Sequence, residues 1–107
     1  MHVQITGQHL EITEALRAYV HARLERLTKM DERLVNLTVV MSVDKLEQKA
    51  EGTLNCAGAT LHAEAIDADM YNSIDQLFDR LAAQLRKHRE KVADKHQYEA
   101  RQFRQAV

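Results

Sequence analysis

Residues 35–43 alternate without a break, with Leu37, Val39, Met41 and Val43 on one side and Thr38, Val40 and Ser42 on the other. A period of two is the signature of a strand with one buried face. Such a strand cannot stand alone. Its apolar face requires other strands beside it and a second layer on top of it. Two further alternating runs follow. Ala50–Cys56 turns Leu54 and Cys56 inward, and Thr60–Ile66 turns Leu61, Ala63 and Ala65 inward. Ala57-Gly58-Ala59 links them as a tight hairpin in which Gly58 can take a positive φ. The polar stretch Asp44–Lys49 reads as a turn or frayed strand ends. The small side chains of the last strand allow a helix to approach closely.

The covering layer is also visible. Leu16, Tyr19, Val20, Leu24, Leu27 and Met30 recur at helical spacing, within an arc of roughly 140°. Thr13 stands as N-cap and Glu14 favours the positive helix end, giving a helix over about residues 14–29. A second apolar stripe runs through Met70, Tyr71, Ile74, Leu77, Phe78, Leu81, Leu85 and Val92, behind a cap at Asp69. His2–Thr6 adds a short first strand with Val3 and Ile5 on one side. The order is β-α-β-β-β-α: an α+β fold with a four-stranded sheet and two helices packed on one face. The first strand–helix–strand unit should be parallel with a right-handed crossover, and the other pairs antiparallel. Residues 1–92 form one domain, and 93–107 lose periodicity and read as a mobile C-terminal tail. At 107 residues the chain can bury a core without staples.

Charge is polarised along the chain. From Arg80 to Val107 there are eight basic and three acidic residues, a balance of +5, whereas residues 1–79 hold seven and thirteen, a balance of −6. The near-neutral total of −1 conceals this asymmetry. Arg80, Lys87 and Lys91 are spaced by seven and four and share one flank of the second helix, with Gln84 beside them. Arg86 and Arg89 fall on the other flank. On the first helix Arg26 borders the apolar arc and Arg23 lies inside it, so Arg23 must snorkel or serve a purpose. If the helices lie side by side, Arg23 and Arg26 can join the second helix's stripe across the groove. Arg forks and Lys ammonium groups in such a row suit phosphate. A solvated helix face is the plain alternative.

The run Asp69-Met70-Tyr71-Asn72-Ser73-Ile74-Asp75, with Gln84-Leu85 and Lys87-His88-Arg89 after it, resembles the hibernation promoting factor family of bacterial ribosome-associated proteins. Ile5-Thr6-Gly7 and Glu11-Ile12-Thr13-Glu14-Ala15-Leu16-Arg17 resemble it too, so the similarity spans about residues 1–91. The resemblance implies a fold akin to the double-stranded RNA-binding domain with an added first strand. It implies binding to the small ribosomal subunit and its rRNA, in the channel of messenger RNA and of A- and P-site transfer RNA, which idles the ribosome. Carried over by position, the RNA-binding residues are Arg23, Arg26, Arg80, Lys87, Arg89 and Lys91. Tyr71 matches the motif either as a core residue or as a stacking platform. Within the family the short form promotes ribosome dimers with a separate modulation factor, while the related ribosome-associated inhibitor keeps single idle particles and carries an acidic tail. The tail here has Arg101 and Arg104 against Glu99 and is not acidic, which favours the promoting type. Ala83 departs from similar sequences, which often place a basic residue there.

Other chemistry finds little support. The six histidines form no H-x-x-x-H pair or zinc-type cluster. His88 reads as packed and hydrogen-bonded. Asp75 and Asp79 read as a solvated face opposite the basic stripe, and Cys56 as a buried thiol. No glycine-rich phosphate loop occurs. The expectation is no enzyme activity, no metal, no cofactor, no small-molecule substrate and no membrane span. With a single cysteine and no secretory signal at Met1-His2-Val3-Gln4, the chain reads as cytoplasmic. Two rival classes remain: a protein–protein module using a sheet edge or the tail, and a catalytic or ligand-binding α+β domain with a sizeable pocket.

Overall fold

A computed structural model describes the backbone of residues 1–105 and the side chains of residues 1–91. The elements are β1 (His2–Gln8), α1 (Glu14–Met30), β2 (Leu34–Asp44), β3 (Glu47–Cys56), β4 (Ala59–Asp67) and α2 (Met70–Gln105). The sheet order is β1-β2-β3-β4. β1 lies parallel to β2, and the β2–β3 and β3–β4 pairs are antiparallel hairpins. The β-α-β-β-β-α order, the four strands and the two helices on one face are as the residue pattern required.

Local chemistry explains the element ends. Thr13 Oγ1 accepts from the Leu16 amide at 3.1 Å, closing the first turn of α1. Asp69 caps α2 by accepting from the Tyr71 amide at 2.9 Å. The polar stretch Asp44–Lys49 is mostly strand: pairing continues to Asp44 opposite Glu47, leaving only Lys45 and Leu46 in the turn. Polarity did not end these strands: Asp44, Glu47 and Lys49 point off the open face of the sheet, and Gln48, on the covered face, donates through Nε2 to the Ala68 carbonyl at 3.0 Å. Lys45 takes a left-handed φ of 56° to make the turn, and Gly58 one of 80° in the next hairpin. Near the start of β2 the register shifts between Leu34 and Asn36. That irregularity turns Val35 outward, 56% exposed.

One core lies between sheet and helices. β2 contributes Leu37, Val39 and Met41, α1 contributes Leu16, Val20, Leu24 and Leu27, and α2 contributes Ile74, Leu77, Phe78, Leu81 and Leu85. Beneath α2 the inward positions of β3 and β4 are small: Ala50, Gly52, Ala63 and Ala65. A Cβ at Gly52 would sit 3.2 Å from both δ-carbons of Leu77. The missing side chain is therefore what lets α2 lie this close to the sheet. Ser73, fully buried, donates its hydroxyl to the Gln48 carbonyl at 2.6 Å and ties the first turn of α2 to β3.

The helix α2 continues through Gln105, so the domain end expected at residue 92 falls inside a helical segment. The side chains of the tail expected to be mobile, 93–107, lie outside the described residues, as does that of Val92. Among the described residues no helix is long and apolar enough to cross a membrane.

Candidate nucleic-acid interface

The helices run parallel and side by side, because successive residues of α1 meet successive residues of α2. Tyr19 and Arg23 reach Asp75, and Arg26 reaches Asp79. This alignment sorts the cations of the helical layer into two rows.

The first row lies on the β4 side of α2. Arg80 donates through Nη1 to the Glu64 carbonyl, and Gln84 donates through Nε2 to the His62 carbonyl at 2.7 Å. Both cover the outer edge of β4. Lys87 and Lys91 continue the row at helical spacing and are exposed. Among the described residues none of these three cations pairs with a carboxylate.

The second row lies in the seam with α1. Arg23 Nε donates to Asp75 Oδ1 at 2.7 Å, and Nη2 to the Tyr19 hydroxyl at 2.9 Å. The Tyr19 hydroxyl in turn donates to Asp75 at 2.8 Å. The Arg23 guanidinium also sits 4.5 Å from the Tyr19 ring centroid, a cation–π contact. Arg26 Nη1 donates to Asp79 Oδ1 at 2.7 Å. Burial pushes the Asp75 carboxyl up, but hydrogen bonds from Arg23 and Tyr19 and the Arg23 charge outweigh it, and its pKa lies below the ordinary value. The hydrogen bond to Asp75 is the main reason the Arg23 pKa is raised. Ala22, Phe78 and these two ion pairs line an open groove of about 350 Å³. Further along, Lys29, Arg33 and Arg89 border a second depression with Met30, Asp31 and Glu32.

The arrangement amends the sequence reading at one point. Asp75 and Asp79 do not form a plain solvated face. At roughly 100° and 140° from the core direction of α2 they are aimed at α1, whose arginines they bind. The same geometry separates the six candidate cations. Arg80, Lys87 and Lys91 stand on one flank, Arg23, Arg26 and Arg89 on the other, and the two carboxylates interrupt the ridge across the groove. No signal within one helix announces this, because the partners are 52 and 53 residues apart and their meeting depends on the stagger of two elements.

The remaining candidates are quickly placed. Tyr71 is 38% exposed and meets Tyr19 edge-on, with centroids 4.9 Å apart. His88 is packed, but its buried Nε2 has no hydrogen-bond partner among the described residues. Cys56 is a buried free thiol whose pKa is raised by burial. On the open sheet face Glu51, His62 and Glu64 come together, with ligand-type atoms within 4.8 Å of one another. The reading of the histidines one by one missed this group, since only the β3–β4 register assembles it. Lys49 Nζ already bridges it, 3.5 Å from Glu51 and 3.1 Å from Glu64, so the group forms an ion-pair cluster.

A family model described as "Sigma 54 modulation protein / S30EA ribosomal protein" matches residues 3–93. The chain belongs to this family. Among S30EA relatives it is 44% identical over 97 residues to a ribosome hibernation promoting factor of Azotobacter vinelandii, covering 91% of each chain. It is 42% identical to the protein of that name from Escherichia coli K12, covering 86% of this chain and 97% of the relative. A solved structure of a ribosomal subunit interface protein from Coxiella burnetii superimposes with a TM-score of 0.80 at 31% identity, covering 84% of this chain and 99% of the other. The Thermus thermophilus Protein Y N-terminal domain gives 0.77 at 33% identity, with 82% and 99% covered.

Proposed function

We propose that this S30EA-family chain is a ribosome hibernation factor that binds the small ribosomal subunit and blocks the channel for messenger RNA and for A- and P-site transfer RNA. The observation that carries the reading is the exposed row Arg80, Lys87 and Lys91. It stands clear of carboxylates among the described residues, in a chain whose relatives are named ribosome hibernation promoting factors. The row projects from a helix held rigidly on a packed sheet, so the cations meet rRNA phosphates with little ordering cost. Arg23, Arg26 and Arg89 form the second row. Recognition is of backbone charge and shape, with little base reading. Inhibition follows from occupancy: the domain fills space that messenger and transfer RNA need, and no catalytic step is invoked. The site of action is cytoplasmic. The tail, with Arg101 and Arg104 against Glu99, is not acidic, which favours promotion of ribosome dimers, with a separate modulation factor, over the single-particle inhibitor.

Purified protein sedimented with small subunits across a salt series tests this. Six cations that each neutralise one phosphate set an upper limit for the slope of log K against log salt of roughly −4 to −5. The Lys87→Ala/Lys91→Ala protein should remain folded, bind more weakly, and show a slope shallower by roughly 1.4 to 1.8. Undiminished co-sedimentation of that variant at moderate salt would remove the α2 row from the contact surface. Particle size in the same gradients, run with whole ribosomes, separates dimer promotion from single-particle inhibition.

A further inference from the structure

We infer that Asp75 and Asp79 restrain RNA binding by holding Arg23 and Arg26 in neutral pairs, so that the phosphate grip rests on Arg80, Lys87, Arg89 and Lys91. This rests on the rRNA-binding reading above and adds two positioning residues to it.

The geometry is direct. Arg recognises phosphate best through two parallel N–H donors of its planar fork. Arg23 has committed Nε to Asp75 and Nη2 to the Tyr19 hydroxyl, and its Cζ sits over the Tyr19 ring. Its Nη1 hydrogens and the second Nη2 hydrogen can still face a phosphate, but the Asp75 carboxylate stays beside the guanidinium. Arg26 has one donor on Asp79 and a more exposed pair, 51% and 66% for the two side chains. A phosphate can approach it, but the carboxylate stays beside the guanidinium. In both cases the RNA meets an Arg–Asp pair of zero net charge. A neutral pair displaces no condensed counterions, so it adds nothing to the salt dependence whichever oxygen the guanidinium prefers. Arg80, Lys87 and Lys91 have no such carboxylate among the described residues. The Asp31 carboxylate near Arg89 is already held by Arg33 through contacts of 2.9, 3.1 and 3.2 Å.

The wild-type protein then shows a slope of roughly −3 to −3.5, that of about four phosphates. The Asp75→Asn/Asp79→Asn protein binds small subunits more tightly at low salt, with a slope steeper by roughly 1.4 to 1.8. The gain fades as salt rises. Loss of folding cannot imitate a gain, and thermal unfolding checks that the doubly substituted chain is intact. If the double variant fails to fold, Asp79→Asn alone decides, with a slope steeper by roughly 0.7 to 0.9 expected. An unchanged or shallower slope in a folded variant overturns the inference. A wild-type protein that ignores small subunits even at low salt instead sinks the rRNA-binding reading, and this inference with it.

Discussion

The contact between Gly52 and Leu77 gives the sharpest test of how α2 is seated. Gly52 is buried on β3, and a Cβ there would meet Leu77 Cδ1 and Cδ2 at 3.2 Å and Leu81 Cδ1 at 3.4 Å. Gly52→Val therefore pushes extra carbons into filled space. Overpacking of this kind costs about 1–3 kcal/mol, and the relief of replacing a strand glycine returns about 0.5–1 kcal/mol, which leaves about 1–2 kcal/mol of destabilisation. Leu77 is 0% exposed, so Leu77→Ala opens a cavity and costs about 3 kcal/mol. Each effect removes the cause of the other, since the valine methyls enter the space that the leucine vacates. The double variant should be destabilised by less than the about 3 kcal/mol of Leu77→Ala alone, a coupling of more than about 1–2 kcal/mol. Urea unfolding of the four proteins measures this, provided the m-values agree. Additivity to within about 0.5 kcal/mol would refute the claim that the missing side chain at Gly52 seats Leu77.

Two other outcomes follow from buried polar contacts. Ser73→Ala removes the donor to the Gln48 carbonyl and should cost about 1–2 kcal/mol in the same unfolding assay; a neutral result would mean that the bond to β3 contributes nothing. Asp31, 7% exposed, has its carboxyl held below the ordinary value of 3.8 chiefly by its hydrogen bonds from Arg33. Its folded-state pKa is depressed, so its contribution is complete above that ordinary value and is lost as pH falls through the lower folded value. The urea midpoint should therefore drop on acidification below pH 3.8, and Asp31→Asn should flatten the profile there; parallel profiles would show that this carboxylate is uncoupled from folding.

Much of the fold was legible because it follows from period and end chemistry. The alternation of Leu37, Val39, Met41 and Val43 compels a one-sided sheet, and Thr13 and Asp69 mark helix starts through their own side-chain oxygens. Within the polar stretch Asp44–Lys49, expected as a turn or frayed strand ends, only Lys45 and Leu46 form the turn and the others are paired strand ends. Glu47, Gln48 and Lys49 belong to β3, because Glu47 and Lys49 face its open side and Gln48 satisfies its amide on the Ala68 carbonyl. Val35 escaped its period through a register shift that depends on the partner strand.

The candidate interface divides in the same way. Arg80, Lys87 and Lys91 share a flank by helical geometry alone, so the chain's order of residues determined that row along with the fold class and the polarised charge. What joins or separates elements was decided only on folding: the parallel stagger that hands Arg23 to Asp75 and Arg26 to Asp79, the register that gathers Glu51, His62 and Glu64, and the seating of Leu77 on Gly52. A local period specifies which face of an element a side chain occupies. Which side chain it meets there depends on how far two elements slide past one another, and packing of the shared core settles that.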